Sequence, residues 1–178
     1  MLGTTKPTFT SSSQNGQPVL NFISNNRLLT NLTMTAASGS FTVVCVMSNY
    51  QGIDRQYVFD SQTGRFIVAP SGSSGAAFPG WFDGAGWYNE PAAVSGWRVW
   101  VWNMNSGVTS FISTNGVNIG AGSVFNPVAI GGACAVGGAY DLSSCLLADI
   151  GEFRIYKESL SGANQAIVVS KLRTKFGL

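Results

Sequence analysis

Ala148-Asp-Ile-Gly-Glu-Phe-Arg-Ile-Tyr156, followed by Leu160-Ser-Gly-Ala-Asn-Gln-Ala-Ile-Val-Val-Ser-Lys-Leu-Arg-Thr-Lys-Phe-Gly-Leu178, decides the fold. From Leu146 to Tyr156, Leu147, Phe153 and Ile155 share one parity, and Leu146, Ala148, Ile150 and Tyr156 share the other. A strand that is apolar on both faces belongs between two layers. The second piece reads as one amphipathic helix. Ser161 suits the N-cap, Gly177 the C-cap, and Ala166, Val169, Leu172 and Phe176 recur at helical spacing. Lys171, Arg173 and Lys175 complement the negative end of the helix dipole, which makes them a solvated face and not a basic patch.

Working upstream, Phe41, Val43, Cys45 and Met47 alternate with Thr42, Val44, Val46 and Ser48, as in a central strand. Tyr57–Asp60 and Arg65–Ala69 form a hairpin around Ser61-Gln-Thr-Gly64, where Gly64 supplies a positive φ. A second hairpin spans Trp97 to Ile112 through Asn103-Met-Asn-Ser-Gly107, and Ser113-Thr-Asn-Gly116 turns into Val117-Asn-Ile119. The stretch from Pro70 to Pro91 reads as a long loop, rich in glycine and in aromatic residues. One closing helix on an otherwise all-β chain implies a two-sheet antiparallel jelly-roll sandwich with a C-terminal amphipathic helix. The 178 residues suit a single domain, expected over 17–178, with the Ser/Thr-rich residues 1–16 as an N-terminal arm.

In chain order, Asn15-Gly-Gln-Pro-Val-Leu-Asn-Phe22, Phe41-Thr-Val-Val-Cys-Val46, Trp97-Arg-Val-Trp-Val101, the Asn115-Gly116 turn, Val128-Ala-Ile-Gly-Gly132, and the closing strand and helix can be laid end to end. This succession resembles the concanavalin A-like, laminin G-type jelly roll. The terminal Lys175-Phe-Gly-Leu178 is similar to endings of such domains in bacteriophage virion proteins and bacterial surface proteins. The resemblance implies two antiparallel sheets, one more curved than the other.

Charged residues make up 10% of the chain, against about 25% in ordinary globular proteins. The net charge of +2 produces little long-range field, so neither nucleic acid nor an anionic membrane is expected as a partner. No stretch has the apolar length of a secretory signal or a membrane span. Cys45, Cys134 and Cys145 are odd in number, and free thiols are expected ahead of a Cys134–Cys145 disulfide.

The chain has no histidine, which removes histidine-based triads and zinc sites. Glucanases of the resembled fold carry Glu-x-Asp-x-x-Glu, because a retaining glycosidase needs two carboxylates roughly 5 Å apart. That motif is absent. Asp149 and Glu152 are the only tight acidic pair on a strand, and their odd spacing sends them to opposite faces unless a bulge intervenes. Asp54, Asp60, Asp83 and Asp141 lie in or beside loops and match no calcium motif residue by residue, so no cofactor is expected, with calcium left open but unsupported. The chain is read as a non-enzyme.

Trp97, Trp100 and Trp102 are expected in the core. Trp81, Phe82, Trp87 and Tyr88 are the candidate binding residues, packed under their own loop, packed against a neighbouring subunit, or stacked on a sugar, with the packed readings ahead. The first functional expectation is a non-enzymatic bacteriophage structural protein that decorates or cements the capsid. It would be located in the virion, contact other virion subunits and form a homo-oligomer. The alternative is a carbohydrate- or receptor-binding module, such as a tail-fibre head or a lectin-like domain, whose partner is a cell-surface glycan.

Overall fold

The computed structural model describes residues 6–23, 26–32, 39–49, 55–71, 78–90, 94–126, 130–141 and 143–178. Strands are numbered along the chain. A seven-stranded sheet has the order β1 (Thr8–Thr10), β2 (Val19–Phe22), β13 (Ala148–Tyr156), β4 (Phe41–Asn49), β9 (Gly96–Met104), β10 (Thr109–Thr114) and β11 (Val117–Val124). A six-stranded sheet has the order β3 (Leu28–Asn31), β12 (Gly131–Val136), β5 (Phe59–Thr63), β6 (Phe66–Ala69), β7 (Gly80–Asp83) and β8 (Trp87–Asn89). Neighbouring strands within each sheet pair antiparallel. Helix α1 (Gly162–Phe176) closes the chain.

The alternation in β4 divides the interior as the sequence predicts. Phe41, Val43, Cys45 and Met47 face the six-stranded sheet, while Val44 and Val46 face α1. Trp100 and Trp102 of β9 are fully buried between the sheets with rings stacked 5.5 Å apart. Trp97 lies on the opposite side, against the helix cluster. Phe41 meets Phe66 edge-on at 4.6 Å and Phe125 at 5.4 Å. The three cysteines are free thiols, and burial pushes the Cys45 thiol far above its ordinary range.

The closing strand departs from a simple alternation. Between Ile150 and Glu152 the pairing of β13 with β4 slips by one residue, and Gly151 is the extra residue of this β-bulge. Ala148, Ile150, Phe153 and Ile155 therefore all face the core, while Asp149 and Glu152 share the outer face. The expected opposite-face placement of the two acids is corrected by the bulge. They remain apart in role: Asp149 accepts a bond from Asn21 Nδ2 at 2.6 Å, whereas Glu152 pairs with Arg154 and Lys175. Gly151 also makes room for the helix, because a Cβ there would collide with the Phe176 ring.

Ser161 accepts a bond from Asn164 N at 3.3 Å, and Gly177 terminates the helix at φ 67°. Val169, Leu172 and Phe176 are buried against Val44, Val46, Val99 and Val101. Each such residue contributes about 1.5–3 kcal/mol, so docking and not intrinsic propensity holds this helix. Ala166, included in the expected stripe, is exposed. Near the N-terminus, β1 pairs with β2, and Gln14 and Asn15 donate to Phe176 O and Lys175 O at 2.9 and 3.1 Å.

Candidate functional site

The segment expected as a loop between Pro70 and Pro91 contains a β-hairpin, β7 and β8. Its turn forms because Asp83 Oδ1 accepts bonds from Ala85 N and Gly86 N at 3.1 and 3.2 Å. Gly80 allows the close approach of the two strands, since a Cβ there would collide with Tyr88 O. The hairpin is tied at two points, to β11 of the other sheet and to the segment just after it. Glu90 Oε1 accepts from Gly122 N at 2.8 Å, and Asp83 Oδ2 accepts from Asn126 Nδ2 at 3.0 Å.

Strand geometry separates the four candidate aromatics. Trp81 is fully buried in the main core and stacks on the inward-facing Tyr88, ring centroids 5.4 Å apart. The Tyr88 hydroxyl accepts from Asn126 Nδ2 at 3.2 Å. Phe82 and Trp87 alternate with them and stand on the outer face of the six-stranded sheet, both partly exposed. Their centroids are 5.7 Å apart. Tyr57 joins Trp87 at 5.7 Å.

The strand pairings align Ala135, Asp60, Ile67, Phe82 and Trp87 in one row across this face. At the opposite end of the row from Trp87, Asp60 is fully buried beneath Arg65 and the 139–141 segment. Arg65 Nε donates to Asp60 Oδ1 at 3.1 Å, Arg65 Nη1 to Asp141 Oδ2 at 3.4 Å, and Tyr140 N to Asp60 Oδ2 at 3.2 Å. The Arg65 guanidinium also lies 4.9 Å from the centre of the Tyr140 ring. Arg27 fixes the segment from behind, with Nη1 donating to Ala139 O and Tyr140 O, both at 2.7 Å. Arg65 and Arg55, at φ 44° and 57°, occupy the left-handed region disfavoured for side-chain-bearing residues. Such strain persists only where neighbours over-determine it, as the ion pairs of Arg65 do.

Burial pushes the Asp60 carboxyl up to about 6, against the partial opposition of Arg65 and the Tyr140 amide. Its folded value lies above the unfolded one, so the folded state holds the extra proton. Stability associated with Asp60 is therefore full below about pH 4 and declines as pH rises to about 6. Asp60→Asn is expected to flatten this decline, read as thermal midpoint against pH from 4 to 7. An unchanged slope in the variant would refute the assignment. Asp141, which hydrogen bonds from Ser143 and the charge of Arg65 hold below its ordinary value despite partial burial, gives the opposite slope at lower pH.

Tyr57, Asp60, Arg65 and Tyr140 were not singled out together as site residues from sequence. Tyr57 shares a parity with core Phe59, but Val58 and Phe59 both turn inward opposite Val68, which reverses the phase before them. Asp54 lies outside the described residues. Among the described residues, no group of three or more His, Cys, Asp or Glu side chains converges as a metal site, and no helix is long and apolar enough to cross a membrane.

No family model and no curated protein matches the chain. Solved structures do. Domain 4 of AbnA, a GH43 extracellular arabinanase from Geobacillus stearothermophilus solved in complex with arabinotriose, superposes with a TM-score of 0.68 at 14% identity, over 93% of this chain and 82% of that one. The heptameric SAP-like pentraxin of Limulus polyphemus gives 0.61 at 16% identity, over 80% and 75%. A botulinum neurotoxin type C structure gives 0.67 at 10% identity, and this chain spans 94% of itself but 45% of the toxin chain. These likenesses establish a concanavalin A-like jelly-roll sandwich, and a fold by itself does not fix a function.

Proposed function

We propose that this chain is a non-catalytic glycan-binding module whose contact surface is the outer face of the six-stranded sheet around the partly exposed Trp87 and Phe82, with the buried Tyr57 packed against Trp87. The observation that carries the reading is the aromatic row on a rigid, twice-tethered hairpin, running toward the Asp60–Arg65–Tyr140 polar cluster. Aromatic faces cover the apolar C–H faces of sugar rings, while fixed polar groups beside them orient hydroxyls. Support of a weaker kind comes from fold neighbours: the arabinanase domain was solved with arabinotriose, and cell entry of the type C neurotoxin depends on interaction with two ganglioside molecules. Capsid decoration, the first expectation from sequence, finds no observation of its own in the fold or in these likenesses.

The test is calorimetric titration of the intact chain with a panel of neutral and sialylated oligosaccharides. At least one is expected to bind saturably, and Trp87→Ala is expected to weaken it at least tenfold while the thermal midpoint moves little, because Trp87 is only partly buried on an outer face. Binding is proposed to need no metal and should survive EDTA. Full affinity in Trp87→Ala, or no binding across the panel, would reject the surface.

A further inference from the structure

The outer face of the seven-stranded sheet is only half covered. α1 docks over β4, β9 and β13 through Val169, Leu172 and Phe176, beside Tyr156, and Gln165 covers Ser113 of β10, while Phe111 of β10 stays partly exposed and Asn118 of β11 exposed. Between the helix and the β10–β11 hairpin runs a trough of about 740 Å³. It continues past Asn103 and Phe111 into a second hollow of about 400 Å³. The wall formed by 15 helical residues is about 22 Å long at 1.5 Å per residue, long enough for several sugar rings in line.

The trough is held in shape by the protein itself. Gln165 Nε2 donates to Ser113 Oγ at 2.9 Å, and Asn103 Nδ2 donates to Gln165 Oε1 at 3.2 Å and to Leu160 O at 2.8 Å. Ser159 Oγ donates to Asn103 Oδ1 at 2.8 Å. At the hairpin end, Asn115 sits at φ 51° with its Oδ1 accepting from Val99 N at 2.9 Å, and its amino group has no partner among the described residues. Among the described residues, the Asn118 amide and the Ser170 and Thr174 hydroxyls have no protein partner, and all three residues are exposed in this lining. The amides of Asn103 and Gln165, already positioned, lose little freedom when a ligand arrives.

Charge selects the class of ligand. The lining contains no acidic residue and a single cation, Arg173, whose Nε donates to Leu178 O at 3.1 Å. Amides and hydroxyls without a strong field, set beside the half-buried Phe111 ring, match a neutral polyhydroxylated chain. We infer that this trough is a second glycan site, for a neutral oligosaccharide of three or more units, on the sheet opposite the Trp87 face. It extends the reading of the chain as a glycan-binding module, yet stands on different residues.

The experiment titrates the intact, isotope-labelled chain with neutral tri- to hexasaccharides built from arabinose, glucose, galactose, mannose or xylose. It follows by NMR the side-chain amides of Asn115, Asn118 and Gln165 together with the Trp87 indole. At least one oligosaccharide is expected to move the three amides saturably. Ser170→Trp, which fills the trough from an exposed helical position, and Asn118→Ala, at an exposed strand position, are each expected to lower that affinity, the first at least tenfold. Trp87→Ala should leave it unchanged. Movement of the indole alone overturns the trough and spares the Trp87 face; movement of the amides alone supports the trough and leaves the Trp87 face to the sialylated arm of its own titration. Amide shifts that persist undiminished in both trough variants overturn the proposal, and so does a panel that moves neither probe.

Discussion

Trp81→Ala is expected to lower the stability of the fold by about 3–5 kcal/mol, the usual cost of emptying a large aromatic site in a core. Trp81 has no exposed surface, stacks on Tyr88 and packs with the central cluster that includes Phe66 and Trp102. Trp102 Nε1 donates to Gly80 O at 3.2 Å, so the cavity would open beneath the strand that carries the outer aromatic row. For a domain of this size the thermal midpoint should fall by roughly 10 °C. Trp81→Phe should keep most of the stability, because the indole Nε1 of Trp81 is buried without a hydrogen-bond partner and its removal leaves no orphaned donor. The contrast with Trp87→Ala is the informative part: two tryptophans six residues apart, one governing folding and the other binding. If Trp81→Ala melts with the wild type, the inward orientation of β7 is wrong.

Gly137→Ala is the second large effect, expected to cost about 2–5 kcal/mol. Gly137 follows β12 at φ 83°, where a side-chain-bearing residue costs about 1–2 kcal/mol. A Cβ there would also collide with the edge of the fully buried Phe22 ring, and overpacking of a tight core adds about 1–3 kcal/mol. The backbone cannot step aside, because Gly137 N donates to Val58 O at 2.9 Å and Gly137 O accepts from Leu146 N at 3.1 Å. Chemical denaturation should show the loss as a lower midpoint with an unchanged slope. Gly86→Ala is the control: a Cβ at that turn meets nothing within 4 Å, and its effect should stay small. Equal stability of Gly137→Ala and the wild type would mean that Phe22 does not occupy the position described.

Several features were legible from neighbouring residues alone. The faces of β4, the two hairpins, the glycine turn at Gly64, and the caps at Ser161 and Gly177 follow from alternation, turn chemistry and backbone freedom within a few positions. The segment before Pro91 was misread because glycine content suggested a loop. Its glycines instead permit a close strand pair, and Asp83 supplies the turn from its own side chain. Tyr57 escaped notice for a different reason. A two-against-one bulge at Val58 and Phe59 reverses which face it occupies, and no periodicity announces such a step.

The amino-acid order by itself determined the class of architecture: short alternating strands, one capped and dipole-matched helix, sparse charge, and no histidine on which to build the commonest catalytic base. Which side chains meet was decided only by the tertiary structure. Bulges at Gly151 and near Val58 each displace the alternation by one residue, and one residue exchanges the buried and exposed faces of a strand. Cross-strand pairing then sets Asp60, Ile67, Phe82 and Trp87 in one row, and helix docking leaves a trough along α1. Local patterns encode conformation, whereas a binding surface depends on register between segments distant in the chain.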